Sequence, residues 1–146
     1  MKALLLAHLF ATLTMFGVIW IVQVVHYPLF AGVGPERFVA YEAGHATRIT
    51  WIVMPTMFLE LGTALALVWT RPDALPAWMV WVGLALVGVV WLSTALIQVP
   101  LHSTLAAGFD AEAHARLVST NWIRTVAWTL RAGLVLWMTA LLLEVG

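Results

Sequence analysis

Apolar residues fall in four long stretches, about 3–25, 49–70, 75–99 and 122–145, broken by short polar turns. Each approaches the roughly 20 residues that an α-helix needs to cross the hydrocarbon of a bilayer. The breaks carry helix punctuation. Gly32-Val33-Gly34-Pro35 ends the first helix and places proline where a second can start. Arg71-Pro72-Asp73 separates the second from the third, and Gly108-Phe109-Asp110 offers Asp110 as N-cap of the fourth. Residues 36–48 and 111–121 have helical character but carry charge, so the second and fourth helices start before the hydrocarbon. The spans then run about 3–30, 36–70, 75–107 and 111–145. Short connections make neighbours antiparallel. The predicted fold class is all-α, an integral membrane antiparallel four-helix bundle of one domain with no separate soluble unit.

Composition sharpens this picture. Of 146 residues, 63% are hydrophobic and 10% charged, with mean hydropathy +0.97, a membrane profile. The formal net charge of zero gives no reason to expect nucleic acid as a partner. There is no cysteine, which excludes disulfides, thiolate metal sites and cysteine nucleophiles. The first apolar run is too long for a signal peptide and meets His26-Tyr27-Pro28 instead of a small-residue cleavage site, so it reads as a retained span. Trp69, Trp78 and Trp81 flank the middle turn as an interfacial belt would. Lys2 and Arg71 on the side of the termini roughly balance Arg37, Arg48 and Arg116 on the other, so basic residues set no orientation.

The two halves of the chain resemble each other around their first turns. His26 matches His102 and Gly32 matches Gly108 at one offset (102 − 26 = 76), which also pairs Glu36 with Glu112, His45 with Asn121 and Arg48 with Arg124. Two parallel helical-hairpin repeats are the expectation. All six of His26, His45, Arg48, His102, Asn121 and Arg124 then fall in one slab near the membrane face opposite the termini, given about 1.5 Å of rise per residue.

Helical spacing also aligns them radially. Asn121, Arg124, Trp128 and Arg131 form one stripe, Thr94, Gln98 and His102 a second, and Tyr41, His45, Arg48 and Pro55 a third. Polar groups at membrane depth turn toward the bundle interior, which predicts an internal polar pocket walled by Trp20, Trp51, Trp91 and Trp128. Pro28 and Pro100, beside the two histidines, are expected to kink their helices and free carbonyl groups, and Pro55 to shape packing. Glu60 and Arg131, deeper in the membrane, are expected to pair, with a proton-relay role for Glu60 as the functional alternative.

Several chemistries suit such a pocket. His26 and His102 are the candidate ligands of a haem iron or a metal ion, with His45 and Glu42 to complete a metal set. Glu42-Ala-Gly-His45 has metal-ligand spacing only once. His8 lies about 27 Å from His26 along its helix and cannot share that centre. His114 reads as a solvated residue. Without a metal, a neutral histidine acts as a base while Arg48 or Arg124 stabilises a developing oxyanion.

An apolar span ending in His26-Tyr27-Pro28-Leu29, Arg48 near the start of the second helix, Pro100-Leu101-His102 and Asn121-Trp122-Ile123-Arg124 together carry a resemblance. They resemble small bacterial four-span proteins of the anthrone-oxygenase-like membrane family. The resemblance implies oxygen chemistry on a phenolic ring, with these histidines and arginines as candidates, and a place in the bacterial inner membrane. The leading expectation is an oxidoreductase of oxygenase type acting on a lipophilic aromatic or quinone-like small molecule. A haem- or metal-binding electron-transfer protein is the second. The third is a non-catalytic subunit or ligand-binding protein, as a homo-oligomer or within a larger membrane complex.

Overall fold

The computed structural model describes residues 1–145. It forms four antiparallel helices: α1 (Lys2–Gly32), α2 (Pro35–Thr70), α3 (Ala77–Leu105) and α4 (Ala111–Val145). All four are long and apolar enough to span a bilayer, and large side chains such as Leu6, Phe10, Trp51, Trp69 and Leu96 face outward. An apolar exterior of this kind is what lipid contact requires. The chain is an integral membrane four-helix bundle.

The helices pack in a ring, α1 against α2 and α4, and α3 against α4, with the α2–α3 seam the loosest of the four. One apolar cluster, with Met15, Phe30, Phe38, Met57, Leu105 and Trp128, fills the half near the first and third turns. A second, with Leu67, Leu75, Met79 and Met138, closes the half near the termini. The turns follow sequence chemistry. Pro35 opens α2, and the Asp110 carboxylate accepts from the Ala113 amide at 2.7 Å, capping α4. The α3 helix starts at Ala77, later than the apolar pattern, because Pro76 stands at its N-cap. The Arg71 guanidinium donates to the Leu75 carbonyl and braces that turn.

Pro28 and Pro100 do not kink simple α-helices. Each follows a π-helical turn, Val22–His26 in α1 and Thr94–Gln98 in α3. The Tyr27 amide reaches back five residues to Val22, and the Val99 amide to Thr94. A π turn inserts one residue into the helical phase. Residues five apart, Val22 with Tyr27 and Ser93 with Gln98, can therefore both face the interior. By contrast α2 continues as an α-helix through Pro55.

These turns also correct the expected repeat register. Prolines and π turns correspond at an offset of 72 (100 − 28; 94 − 22), whereas the starts of α2 and α4 differ by 76 (111 − 35). The four-residue difference is close to one helical turn. Counting from the prolines, Gln98 and not His102 is the counterpart of His26. The 76-residue match therefore holds for α2 and α4 but not for the prolines and π turns of α1 and α3.

Candidate functional site

Tyr27 stands at the centre of the site. The π turn of α1 turns it inward, where it is 3% exposed. Its hydroxyl lies 2.9 Å from Nε2 of His102 on α3 and accepts from Nη2 of Arg124 on α4 at 3.1 Å. On its other side, His102 places Nδ1 2.5 Å from Oε1 of Glu42 on α2. A carboxylate, an imidazole, a phenol and a guanidinium from four different helices thus form one hydrogen-bonded chain.

A second layer holds Arg124 in place. The Asn121 side-chain oxygen accepts from both Nε and Nη2 of Arg124 at 2.9 and 2.5 Å, and the Thr94 hydroxyl accepts from Nη1 at 3.3 Å. Asn121 in turn donates to Gln23 at 2.9 Å, and Gln23 donates to the Val118 carbonyl at 3.1 Å. On α3, Ser93 donates to Gln98 at 2.9 Å. Buried polar groups are costly unless paired, and this shell pairs them.

The chain lines a cavity of about 340 Å³. Tyr27, Glu42, His45, Thr94, His102 and Arg124 supply its polar wall, and Met15, Ile19, Val22, Ile49 and Val53 are among its apolar residues. Toward the α2–α3 seam the lining residues Ala43, Thr50, Val99, Ser103 and Ala106 are exposed, so the cavity opens sideways between these two helices. Its volume is at the lower end of small-molecule sites, and its apolar lining with a few convergent polar groups is typical of them.

His26 and His45 form a separate pair, Nε2 to Nδ1 at 2.7 Å. His45 also lies against His102, ring centroids 5.4 Å apart. It lines both the cavity and an outer cleft of about 290 Å³ shared with His26, Tyr41 and Arg48.

The six residues expected at the site thus take different places. His45, His102 and Arg124 line the cavity, and Asn121 is fully buried behind Arg124. His26 reaches the cavity only through His45. Arg48 is exposed on the outer face of α2, where its guanidinium lies back toward Gly44. The stripe from Tyr41 to Pro55 therefore splits around α2: His45 turns inward, while Tyr41, Arg48 and Pro55 face outward.

The expected tryptophan wall is also corrected. Only Trp128 lines the cavity. Trp51 is 78% exposed, Trp20 donates to Thr129 at 3.1 Å on the outer surface, and Trp91 packs on Phe58. His114 is not a free solvated residue either: its Nε2 meets the Tyr27 carbonyl at 2.8 Å and joins α4 to α1 beside the site.

The two histidines expected as haem ligands are hydrogen-bonded to protein groups. Both ring nitrogens of His102 are engaged, by Glu42 and Tyr27, and His26 directs Nε2 at His45. Among the described residues, no group of three or more His, Asp or Glu is arranged as a metal set.

The sequence pattern assigns Tyr27 no role and offers Glu42 only as a metal ligand. Both had a signal. Tyr27 lies within the His26-Tyr27-Pro28 motif, and Glu42 is one helical turn from His45, a carboxylate too close to the spans to be left unpaired.

The expected ion pair forms deeper in the bundle. Arg131 Nε donates to Glu60 Oε1 at 2.8 Å, with the two side chains 0% and 1% exposed. Arg131 also donates to the Gly83 carbonyl and, at 3.3 Å, to Thr12, while Trp128 donates to Glu60 Oε2 at 2.9 Å. His8 joins the same cluster, 2.8 Å from Thr63. Comparison of the chain with protein-family models, with curated proteins and with solved structures finds no match, so the site rests on its own geometry.

Proposed function

We propose that this protein is an intramembrane oxidoreductase of oxygenase type, acting on a lipophilic aromatic molecule that enters its cavity from the bilayer. The observation that carries the reading is the Glu42–His102–Tyr27–Arg124 chain at the wall of an apolar cavity open between α2 and α3. The resemblance to small bacterial four-span oxygenase-like proteins supports the same reaction class and a place in a bacterial cytoplasmic membrane.

The chemistry follows from the order of groups. As the Tyr27 hydroxyl gives its proton to His102 Nε2, its oxygen takes one from an activated C–H of the substrate. Glu42 stabilises the imidazolium so formed, and Arg124 stabilises negative charge on the phenol oxygen, as preorganised donors do in a water-poor site. The substrate carbanion passes one electron to dioxygen, and the radical pair combines into a C–O–O⁻ peroxide. This peroxide recovers the stored proton through Tyr27. Loss of the second C–H proton with O–O cleavage releases water and leaves a ketone. Overall R₂CH₂ + O₂ becomes R₂C=O + H₂O, and the four side chains return to their starting state.

The test is oxygen uptake and quinone absorbance with 1,8-dihydroxyanthrone and purified protein in lipid nanodiscs. One dioxygen consumed per quinone is expected. His102→Ala and Tyr27→Phe should each lower kcat by about 100-fold or more, the usual contribution of a positioned acid–base group, with helicity unchanged by circular dichroism. Equal rates in wild type and both variants would refute the reading.

A further inference from the structure

Arg48 is a charge that the site around Tyr27 leaves out. Among the described residues, the carboxylates in ion pairs are Glu42, held by His102, and Glu60, held by Arg131, so none pairs with Arg48. Its fourth-helix counterpart Arg124 is buried and bonded to Asn121, Thr94 and Tyr27. Arg48 is exposed instead, in the outer cleft of about 290 Å³ that it shares with His26, Tyr41, Gly44, Ile49 and Ile52. No acidic residue lines that cleft.

Gly44 keeps the cleft open. The Arg48 guanidinium lies 3.3 Å from the point where a Cβ on Gly44 would stand, and no other side chain comes within 4 Å of it. Beyond Gly44, the rings of His26 and Tyr41 lie 6.2 Å apart, and His26 spends only Nε2 on His45.

The cleft also straddles a boundary along the chain. Arg48 ends the charged start of α2, and Ile49 begins the apolar run to Thr70. That run rises about 33 Å, close to the thickness of bilayer hydrocarbon. His26 likewise follows directly on the apolar run of α1. The polar residues of the cleft thus stand at headgroup level, while Ile49 and Ile52 carry its wall into the acyl region. An amphiphile with an anion at one end and hydrocarbon at the other matches this order. A guanidinium fork fits two phosphate oxygens, whereas a headgroup ammonium finds no carboxylate in the cleft.

We propose that the outer cleft binds one phospholipid of net negative charge, with its phosphodiester on Arg48 and its first acyl carbons against Ile49 and Ile52. This site is separate from the chemistry at Tyr27 and does not depend on it.

The experiment equilibrates the immobilised, delipidated full chain in dodecyl maltoside with equal amounts of dioleoylphosphatidylglycerol and dioleoylphosphatidylcholine. Retained lipid is quantified by mass spectrometry. The two lipids share their chains, so the ratio reads the headgroup alone. Wild type should favour phosphatidylglycerol by about tenfold, as a charge-assisted forked contact allows. Arg48→Gln, which removes the charge, and Gly44→Leu, which fills the cleft and keeps the charge, should each bring the ratio to about one. Arg37→Gln, at an exposed arginine of α2 outside the cleft, should leave it unchanged. Equal retention of both lipids by wild type overturns the proposal. So does an equal loss in Arg37→Gln, which would mean diffuse attraction, or a wild-type ratio in a folded Gly44→Leu. If Gly44→Leu does not fold, Arg48→Gln at its exposed position decides against Arg37→Gln. An excess of inorganic phosphate should not displace the lipid; if it does, the cleft takes free phosphate and the lipid assignment falls.

Discussion

Arg131 shows what a single charged side chain requires at membrane depth. It is 0% exposed, yet each nitrogen of its guanidinium is used: Nε by Glu60, Nη1 by the Gly83 carbonyl, and Nη2 by Thr12. Removing one member of a buried pair strands the other, at about 3–5 kcal/mol. Arg131→Met should therefore lower the thermal midpoint in mild detergent sharply, while Glu60→Gln combined with Arg131→Met should recover most of the loss. If the double variant is as unstable as the single one, the pair is not what holds these helices. This pair was legible in the sequence because two opposite charges within apolar spans have few other solutions. The fate of Arg48 was not. Its periodicity matches that of Arg124 and it stands equally far from its helix start (48 − 35 = 124 − 111 = 13), yet it faces outward where Arg124 is buried.

Elements were legible in outline and obscure in their phase. Four apolar runs and their Pro, Gly and Asp punctuation are enough to place four helices and to nominate Asp110 as a cap. Asp110→Ala should reduce stability by about 1 kcal/mol through loss of the Ala113 hydrogen bond, read as a modest fall in the melting midpoint with the other helices unaffected. The π turns escaped, because α and π geometry share the same residues and differ only in which carbonyl an amide chooses. Proline excludes one choice, but packing against neighbouring helices decides the rest. One inserted residue determines whether Tyr27 or a neighbour faces the cavity, so a regular helical period does not single out the phenol.

The whole bundle adds one property that no helix has alone, a lateral doorway. The α2–α3 seam is the loosest of the ring and coincides with the exposed edge of the cavity lining. Ala46 and Ala106 stand at this edge, where small side chains leave room. Ala46→Trp and Ala106→Trp should each lower kcat/KM for a membrane-dissolved substrate by about tenfold or more, with the melting midpoint nearly unchanged. An unaltered kcat/KM would send the substrate by another path. That all six chosen residues share one end of the molecule followed from topology and helical rise. That they divide into a cavity wall, a buried support and an outer cleft depended on side-chain reach.

The polar chain around Tyr27 and the deeper cluster around Arg131 come close enough to share Trp128, which lines the cavity and donates to Glu60. An indole N–H can give a hydrogen bond, but the nitrogen has no lone pair to accept one. Protons hop only through groups that do both. Trp128 thus joins the two networks mechanically while insulating them electrically. On the proposed function, proton transfer around Tyr27 is thereby confined to one end of the bundle and does not continue into the Arg131 cluster through Trp128.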